Sequence, residues 1–269
     1  MGKKIVINAI AILVFFYQNT TAAIQADSMS INLATTNGYK LNLLNRDNYS
    51  CFEGMRFGVF PFHGLYGVMN NSVVGMDYSR NGQLVELALP DSIEIEEFVF
   101  LKESSVFKSG KILFSLNKEL QLQKRYFDTD TFSIALHTDS TLLLYYKGSV
   151  FDYNPITDNI ERLICLGNYR IINCSYTNID KFFVVTEHYV AMKRNGTLYP
   201  LAKLPEKIVT ADLSPQGFFI GTETGLYELT ERGDMYKLLE TPISQILDDF
   251  EVTYIITNKG EIFSCSSSD

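Results

Sequence analysis

Several of the patterns that announce chemistry are missing from this sequence, and each gap removes a class of function. There is no serine elbow, no glycine-rich phosphate loop and no closely spaced cysteine pair, so those routes to acyl transfer, nucleotide binding and thiolate zinc lack a motif. Histidine occurs only three times, at His63, His137 and His188, and a metal site would need these scattered residues to converge with carboxylates. After the first few residues no basic run exceeds Lys124-Arg125 or Lys193-Arg194, and 23 Lys and Arg against 31 Asp and Glu give a net charge of −8. Such a surface repels nucleic acid and anionic lipid. No apolar run reaches the roughly 20 residues that a helix needs to cross a bilayer.

What is present begins with an address. Met1-Gly2-Lys3-Lys4 is a short basic leader, Ile5 to Tyr17 is apolar apart from Asn8, and Thr21-Ala22-Ala23 supplies small residues at the place where a signal peptidase cuts. Residues 1–23 read as a signal peptide, 24–30 as a short linker and 31–269 as one domain. No cysteine follows the apolar run to carry a lipid. Losing Lys3 and Lys4 leaves 21 basic residues against 31 acidic ones, so −8 becomes −10. The mature chain is expected to be secreted or periplasmic, monomeric and without stable membrane insertion.

The strongest signal is a period. Strand patterns begin at Val73, Lys111, Ser149, Tyr189, Gly225 and Gly260, separated by 38, 38, 40, 36 and 35 residues. The first five copies run into turns, Arg80-Asn81-Gly82, Asn117-Lys118-Glu119, Pro155-Ile156-Thr157-Asp158, Arg194-Asn195-Gly196 and Glu231-Arg232-Gly233-Asp234, each followed by a further strand. Apolar strands precede the later copies, as in Phe182-Phe183-Val184-Val185-Thr186, Phe218-Phe219-Ile220-Gly221-Thr222 and Thr253-Tyr254-Ile255-Ile256-Thr257. A sandwich imposes no such spacing and a β-helix has shorter coils. The pattern predicts an all-β, six-bladed β-propeller with four-stranded blades. Residues 91–127 make its weakest blade, with Glu94 to Lys102 and Ser104 to Lys108 supplying two strands.

The sixth copy lacks its last strand, since the chain ends shortly after Phe263. Gly38-Tyr39-Lys40-Leu41-Asn42-Leu43-Leu44 resembles Met235-Tyr236-Lys237-Leu238-Leu239 and has no blade of its own. An N-terminal strand that completes the last blade closes the ring and removes two unpaired edges.

Gly217, Phe219, Ile220-Gly221-Thr222 and Gly225-Leu226 together resemble the repeat of two-component-regulator-type β-propellers. The likeness covers one blade. It decays to Val184-Val185-Thr186 and Ile255-Ile256-Thr257, and the usual tryptophan is absent because the chain has none. The resemblance implies a propeller and does not imply a sensor kinase.

Four cysteines, Cys51, Cys165, Cys174 and Cys265, would suit a disulfide framework in an oxidising compartment. The four-strand scheme separates them, placing Cys165 at the end of an outer strand, Cys174 in the next inner one, and Cys51 and Cys265 toward opposite faces. Buried free thiols are expected. Aligned on the Ile-Gly-Thr positions, the counterparts of Asp212 are Leu247, Tyr176 and Leu136, so a mostly uncharged inner wall is expected, unlike the acidic metal-binding channel of six-bladed lactonases.

That leaves the loops from second to third strand and from outer strand to next blade, which share one face. Arg46, Tyr49, Tyr169, Arg170, His188 and Tyr189 set aromatic rings beside charged or polar groups there, the composition of a recognition surface. The sequence points to a non-catalytic binder of a protein, peptide or glycan, with no cofactor and no metal. The alternative is a propeller enzyme of the lactonase or lyase type, with Asp128, Asp130 and Asp212 around a divalent cation.

Overall fold

The structure is a computed structural model, and it describes residues 33–34, 40–44, 52–60, 64–69, 72–75, 87–88, 94–117, 121–178, 181–195, 197–214, 217–230 and 232–266. All its regular elements are strands. A short β1 (Leu33–Ala34) and β2 (Lys40–Leu43) come first. Then follow four-stranded antiparallel sheets: β3 (Phe57–Phe60), β4 (Gly64–Met69), β5 (Ser72–Gly75) and β6 (Leu87–Ala88); β7 (Glu97–Phe100), β8 (Ser104–Ser109), β9 (Ile112–Asn117) and β10 (Leu122–Tyr126). The next two are β11 (Ser133–Leu136), β12 (Leu142–Tyr146), β13 (Ser149–Asn154) and β14 (Asn159–Cys165), and β15 (Ile171–Asn178), β16 (Lys181–Thr186), β17 (Tyr189–Arg194) and β18 (Thr197–Lys203). β19 (Ile208–Ser214), β20 (Gly217–Thr222), β21 (Leu226–Leu229) and β22 (Met235–Leu239) form another, and β23 (Ile243–Asp248), β24 (Thr253–Thr257) and β25 (Ile262–Ser266) end the chain.

The last sheet departs from the four-stranded expectation. Its order is β1-β2-β25-β24-β23, with β2 antiparallel to β25 in the register Leu41 opposite Cys265 and Leu43 opposite Phe263. β1 then folds back on β2, Leu33 opposite Leu41, and makes a fifth strand. A two-residue strand is a poor template for further pairing, so this hairpin blunts the outer edge. Within the segment expected to be weakest, 91–127, the described residues form a four-stranded sheet whose second strand is mostly buried.

The described second strands are apolar on both faces, and the core is accordingly a set of wedges between neighbouring sheets. Tyr66 and Val73 pack on Phe98, Phe100 and Phe107. Val99 and Val106 pack on Ile134 and Leu142. Farther round, Tyr145 and Val150 meet Cys174 and Val184, and Phe183 meets Phe218 and Ile220. Leu41 joins Phe219, Leu226, Ile255 and Phe263, while Phe57 and Leu65 meet Tyr254 and Ile256. The wedges return to their start, which is the geometry of a propeller.

Gly221 shows why the Ile-Gly-Thr strand needs its glycine. A Cβ there would lie 2.7 Å from methyl carbons of Ile243 and Thr210, so any side chain would push the next innermost strand away. The threonine that follows has a different task. Thr222 accepts hydrogen bonds from the backbone N–H groups of Thr224 (3.2 Å) and Gly225 (3.1 Å), and Thr257 accepts one from Glu261 N–H at 3.1 Å. Thr186 does the same for Tyr189 N–H at 3.3 Å. The recurring threonine pins the turn from second to third strand.

A side-chain hydrogen bond from each sheet fastens the innermost strand of the next sheet, or that strand's immediate flank. The Arg56 guanidinium donates to Ile95 O, and Glu97 accepts from Ile134 N–H at 2.7 Å. The Tyr145 hydroxyl accepts from Cys174 N–H at 3.0 Å, Asn173 donates to Ala211 O, and Thr210 accepts from Ile246 N–H at 3.2 Å. Gln245 completes the circle on Phe57, accepting from its N–H at 3.0 Å and donating to its O at 3.3 Å.

Candidate functional site

Two of the concavities formed by the described residues bear on the expected site. The first is a central cavity of about 570 Å³ whose lining includes residues from β3, β7, β11, β15, β19 and β23 and the turn residues His137, Thr138 and Phe250. Its walls are largely apolar, but Glu97, Asp212 and Asp248 also line it. The expectation of a mostly uncharged wall therefore needs correction. Comparing single positions with Asp212 misses Glu97, near the start of its strand, and Asp248, at the end of its own. The alignment is also one residue off in two sheets, where Ser175, opposite Phe183, and Ala135, opposite Leu143, take the place that Asp212 holds opposite Phe219.

These carboxylates differ in setting. Burial pushes Glu97 up, against the opposing pull of Ile134 N–H and Lys108. Asp248 is pushed up to about 7, first by burial and then by the neighbouring Asp249 charge. Phe250 N–H donates to Asp248 at 3.2 Å and the Thr253 hydroxyl at 3.3 Å, and these pull the other way. Phe250 holds φ at +76° in this turn, an uncommon conformation for a bulky residue.

The second concavity, about 640 Å³, lies on the face of the second-to-third-strand loops and the outer-strand exits. Asp130 to Ser133, Lys147-Gly148 and Gly167 to Arg170 line it, together with Glu97 and Lys108. Lys108 is buried, 2.7 Å from Glu96 and 3.5 Å from Glu97, with its ammonium over the Phe132 ring. Gly148 has φ +66°, and a Cβ there would lie 1.9 Å from Gly167 O. Close packing of these two loops thus depends on a glycine, and it sets where Tyr169 and Arg170 emerge.

Arg170, expected with Tyr169 to lie close to His188 and Tyr189, is joined to that turn through Glu187. Arg170 Nη1 is 3.6 Å from Glu187 Oε1, and Lys207 Nζ reaches the same oxygen at 3.4 Å. Backbone bonds knit the third loop in: Ile208 N–H donates to Glu187 O at 2.8 Å and Leu204 N–H to His188 O at 2.9 Å. The His188 ring nitrogen lies 3.2 Å from Glu206 O. Tyr169 and Tyr189 are 62% and 41% exposed, which is far more than packing would leave and is what a contact surface requires. Lys203 holds its ammonium 5.4 Å from the centre of the Tyr189 ring. Lys203 and Lys207 were not among the expected site residues, because their role shows only when three loops from two sheets converge. Arg46 and Tyr49 lie outside the described residues, as do His63 and Cys51.

Asp128, Asp130 and Asp212 do not form one ligand set. Asp128 is exposed and takes hydrogen bonds from Tyr146 and Lys147, which hold its carboxyl below the usual range, the lysine foremost. Asp130 lines the rim recess and Asp212 the central cavity. Among the described residues no group of three or more His, Cys, Asp or Glu could hold a metal ion. Cys165, Cys174 and Cys265 are free thiols; Cys174 and Cys265 are buried as expected, but Cys165 is exposed, because it ends an outer strand where no further sheet covers it.

No protein-family model matches the sequence, and no curated protein matches it. Solved structures do resemble the fold. Virginiamycin B lyase from Staphylococcus aureus, solved as a catalytically inactive form with quinupristin, superposes with a TM-score of 0.56 at 11% identity, over 86% of this chain and all of that one. The extracellular domain of the BT4673 one-component system from B. thetaiotaomicron gives 0.55 at 14% identity over 87% of this chain, which spans about a third (34%) of that longer protein. The WD40 propeller domain of Doa1 gives 0.54 at 9% identity, covering 76% of this chain and 75% of that one. Among the described residues no helix is long and apolar enough to cross a membrane. At these identities the likeness concerns the backbone alone, and it establishes that the chain is a β-propeller of four-stranded repeats.

Proposed function

We propose that this protein is a secreted or periplasmic, non-catalytic recognition module that binds a protein, peptide or glycan through its rim. In this reading the ring has six blades, the five-stranded sheet being the last, and the protein acts as a monomer. The rim site is Tyr169, Arg170, His188 and Tyr189, with Arg46 and Tyr49, outside the described residues, as the remaining members expected from the sequence. One observation carries the reading: three loops meet at Glu187 and leave two tyrosine rings exposed beside cations. Exposed aromatic and Arg side chains on a rigid scaffold are what recognition surfaces use. Structural neighbours include an extracellular domain of a one-component system and also an enzyme, so the fold by itself favours neither class.

Affinity capture from the native host tests this. The mature chain, a Tyr169→Ala/Arg170→Ala variant and an Asn195→Ala variant in the β17–β18 turn are compared. The reading expects the rim variant to lose the captured partner and the Asn195 variant to keep it. Loss with Asn195→Ala alone would move the site to the opposite face.

A further inference from the structure

The charges at the rim site do not balance, and the imbalance names a partner. Glu187 alone faces both Arg170 and Lys207, through one oxygen. Lys203 stands on the neighbouring Tyr189 ring and, among the described residues, has no ion pair with a carboxylate. The nearby acid Glu206 is turned elsewhere, onto the hydroxyls of Thr222 (2.8 Å), Thr224 and Tyr227 (3.0 Å). Two cations therefore share Glu187 and the third has no carboxylate; with the charge of Glu206, which its hydroxyl partners do not cancel, counted in, the locus keeps a surplus of one positive charge on a chain whose net charge is −8. Side chains of Arg170, Glu187 and Lys207 keep 69%, 38% and 44% of their exposure, so these pairs are screened, and an incoming carboxylate can replace Glu187 at little cost.

We infer that the segment bound here is an acidic peptide, with its carboxylates between Arg170, Lys203 and Lys207 and an apolar or aromatic neighbour on the open Tyr169 ring. This rests on the rim reading above. At Tyr189 a stacked sugar ring would have to displace the Lys203 ammonium from the ring face. That cation instead adds to the field that attracts carboxylates. Over the rest of the surface the negative charge repels such a peptide, which confines it to this locus and makes binding depend on salt.

Fluorescence anisotropy with the full mature chain tests the inference, using labelled hexaglutamate and hexaglutamine. Hexaglutamate should bind at least about tenfold more tightly, with the difference shrinking at high salt. Lys203→Gln with Lys207→Gln should remove most of that difference, while Lys124→Gln, on a distant outer strand, should not. Equal affinity for the two peptides, or hexaglutamate binding untouched by the double lysine variant, would overturn the proposal. Hexagalacturonate binding as tightly as hexaglutamate would also overturn it, by assigning the carboxylate to a glycan. Should hexaglutamate fail while Tyr169→Ala/Arg170→Ala still abolishes capture of the native partner, the acidic-peptide inference falls and the rim reading stands.

Discussion

Gln245 and Phe57 stand 188 residues apart in sequence and exchange two hydrogen bonds, the Gln245 side-chain amide both accepting from and donating to the Phe57 backbone. Phe57 begins the first described innermost strand and Gln245 belongs to the last, so this amide is the clasp of the ring. Replacing it with alanine leaves two backbone groups of the buried Phe57 without that partner, a loss of about 1–3 kcal/mol. Gln245→Ala should show this in urea unfolding monitored by circular dichroism. A change below about 0.5 kcal/mol, the usual size for an uninvolved surface position, would contradict the clasp.

Ring closure also depends on β2. Leu41 is fully buried against Phe263 and Cys265 of its own sheet and Phe219 of the neighbouring one. Leu41→Ala should cost about 2–5 kcal/mol, as truncations of buried leucine do. Deleting residues 24–45 should bare the edge of β25 and cause aggregation visible by light scattering. A monomeric truncation of unchanged melting temperature would show that closure does not stabilise the ring.

The strand pattern was legible because each repeat solves the same local problem. A buried second strand ends in Thr186, Thr222 or Thr257, whose hydroxyls pin the following turn, so the signal recurs in the same residue type. The hub fastenings left no such trace. Arg56, Glu97, Tyr145, Asn173, Thr210 and Gln245 do one job with six different side chains, each set by the local gap between strands. Asn173 also sits in an Asn-Cys-Ser triplet that reads as a glycosylation signal, yet its side chain is engaged with Tyr145 and Ala211 inside the hub. At the rim, Tyr169, Arg170, His188 and Tyr189 were legible as aromatic and polar neighbours on one face. The cations Lys203 and Lys207 were not, since each follows apolar strand or loop sequence with nothing to mark it.

Asp248 gives the fold a pH dependence of known sign. Its carboxyl is pushed up to about 7 in the folded chain, against about 4 when unfolded. The folded state thus holds a proton that the unfolded state has released, and this group's contribution to stability is full below pH about 4 and is lost as pH rises toward about 7. Above that the loss is complete and constant. Asp248→Asn should remove the dependence, so its stability relative to the parent should rise between pH 4 and 7 and then level off. Parallel stability curves for the two proteins across that range would refute the assignment.

Gly148 is the residue on which the rim recess depends structurally. Gly148→Ala places a methyl on Gly167 O in a backbone region unfavourable to alanine. It should lower the melting temperature and raise amide hydrogen exchange in residues 166–170 while leaving β23–β25 protected. Unchanged exchange in that loop would mean that the packing of the two loops does not set the position of Tyr169.

The rim site itself is tested most directly by the affinity of the captured partner for the folded Tyr169→Ala/Arg170→Ala variant, measured by isothermal titration beside the parent. Both side chains are exposed, so the melting temperature should not change. Binding should weaken by about 2 kcal/mol or more, as truncation of an aromatic and Arg hot spot does. An unchanged dissociation constant in a variant that melts normally would contradict recognition through this face.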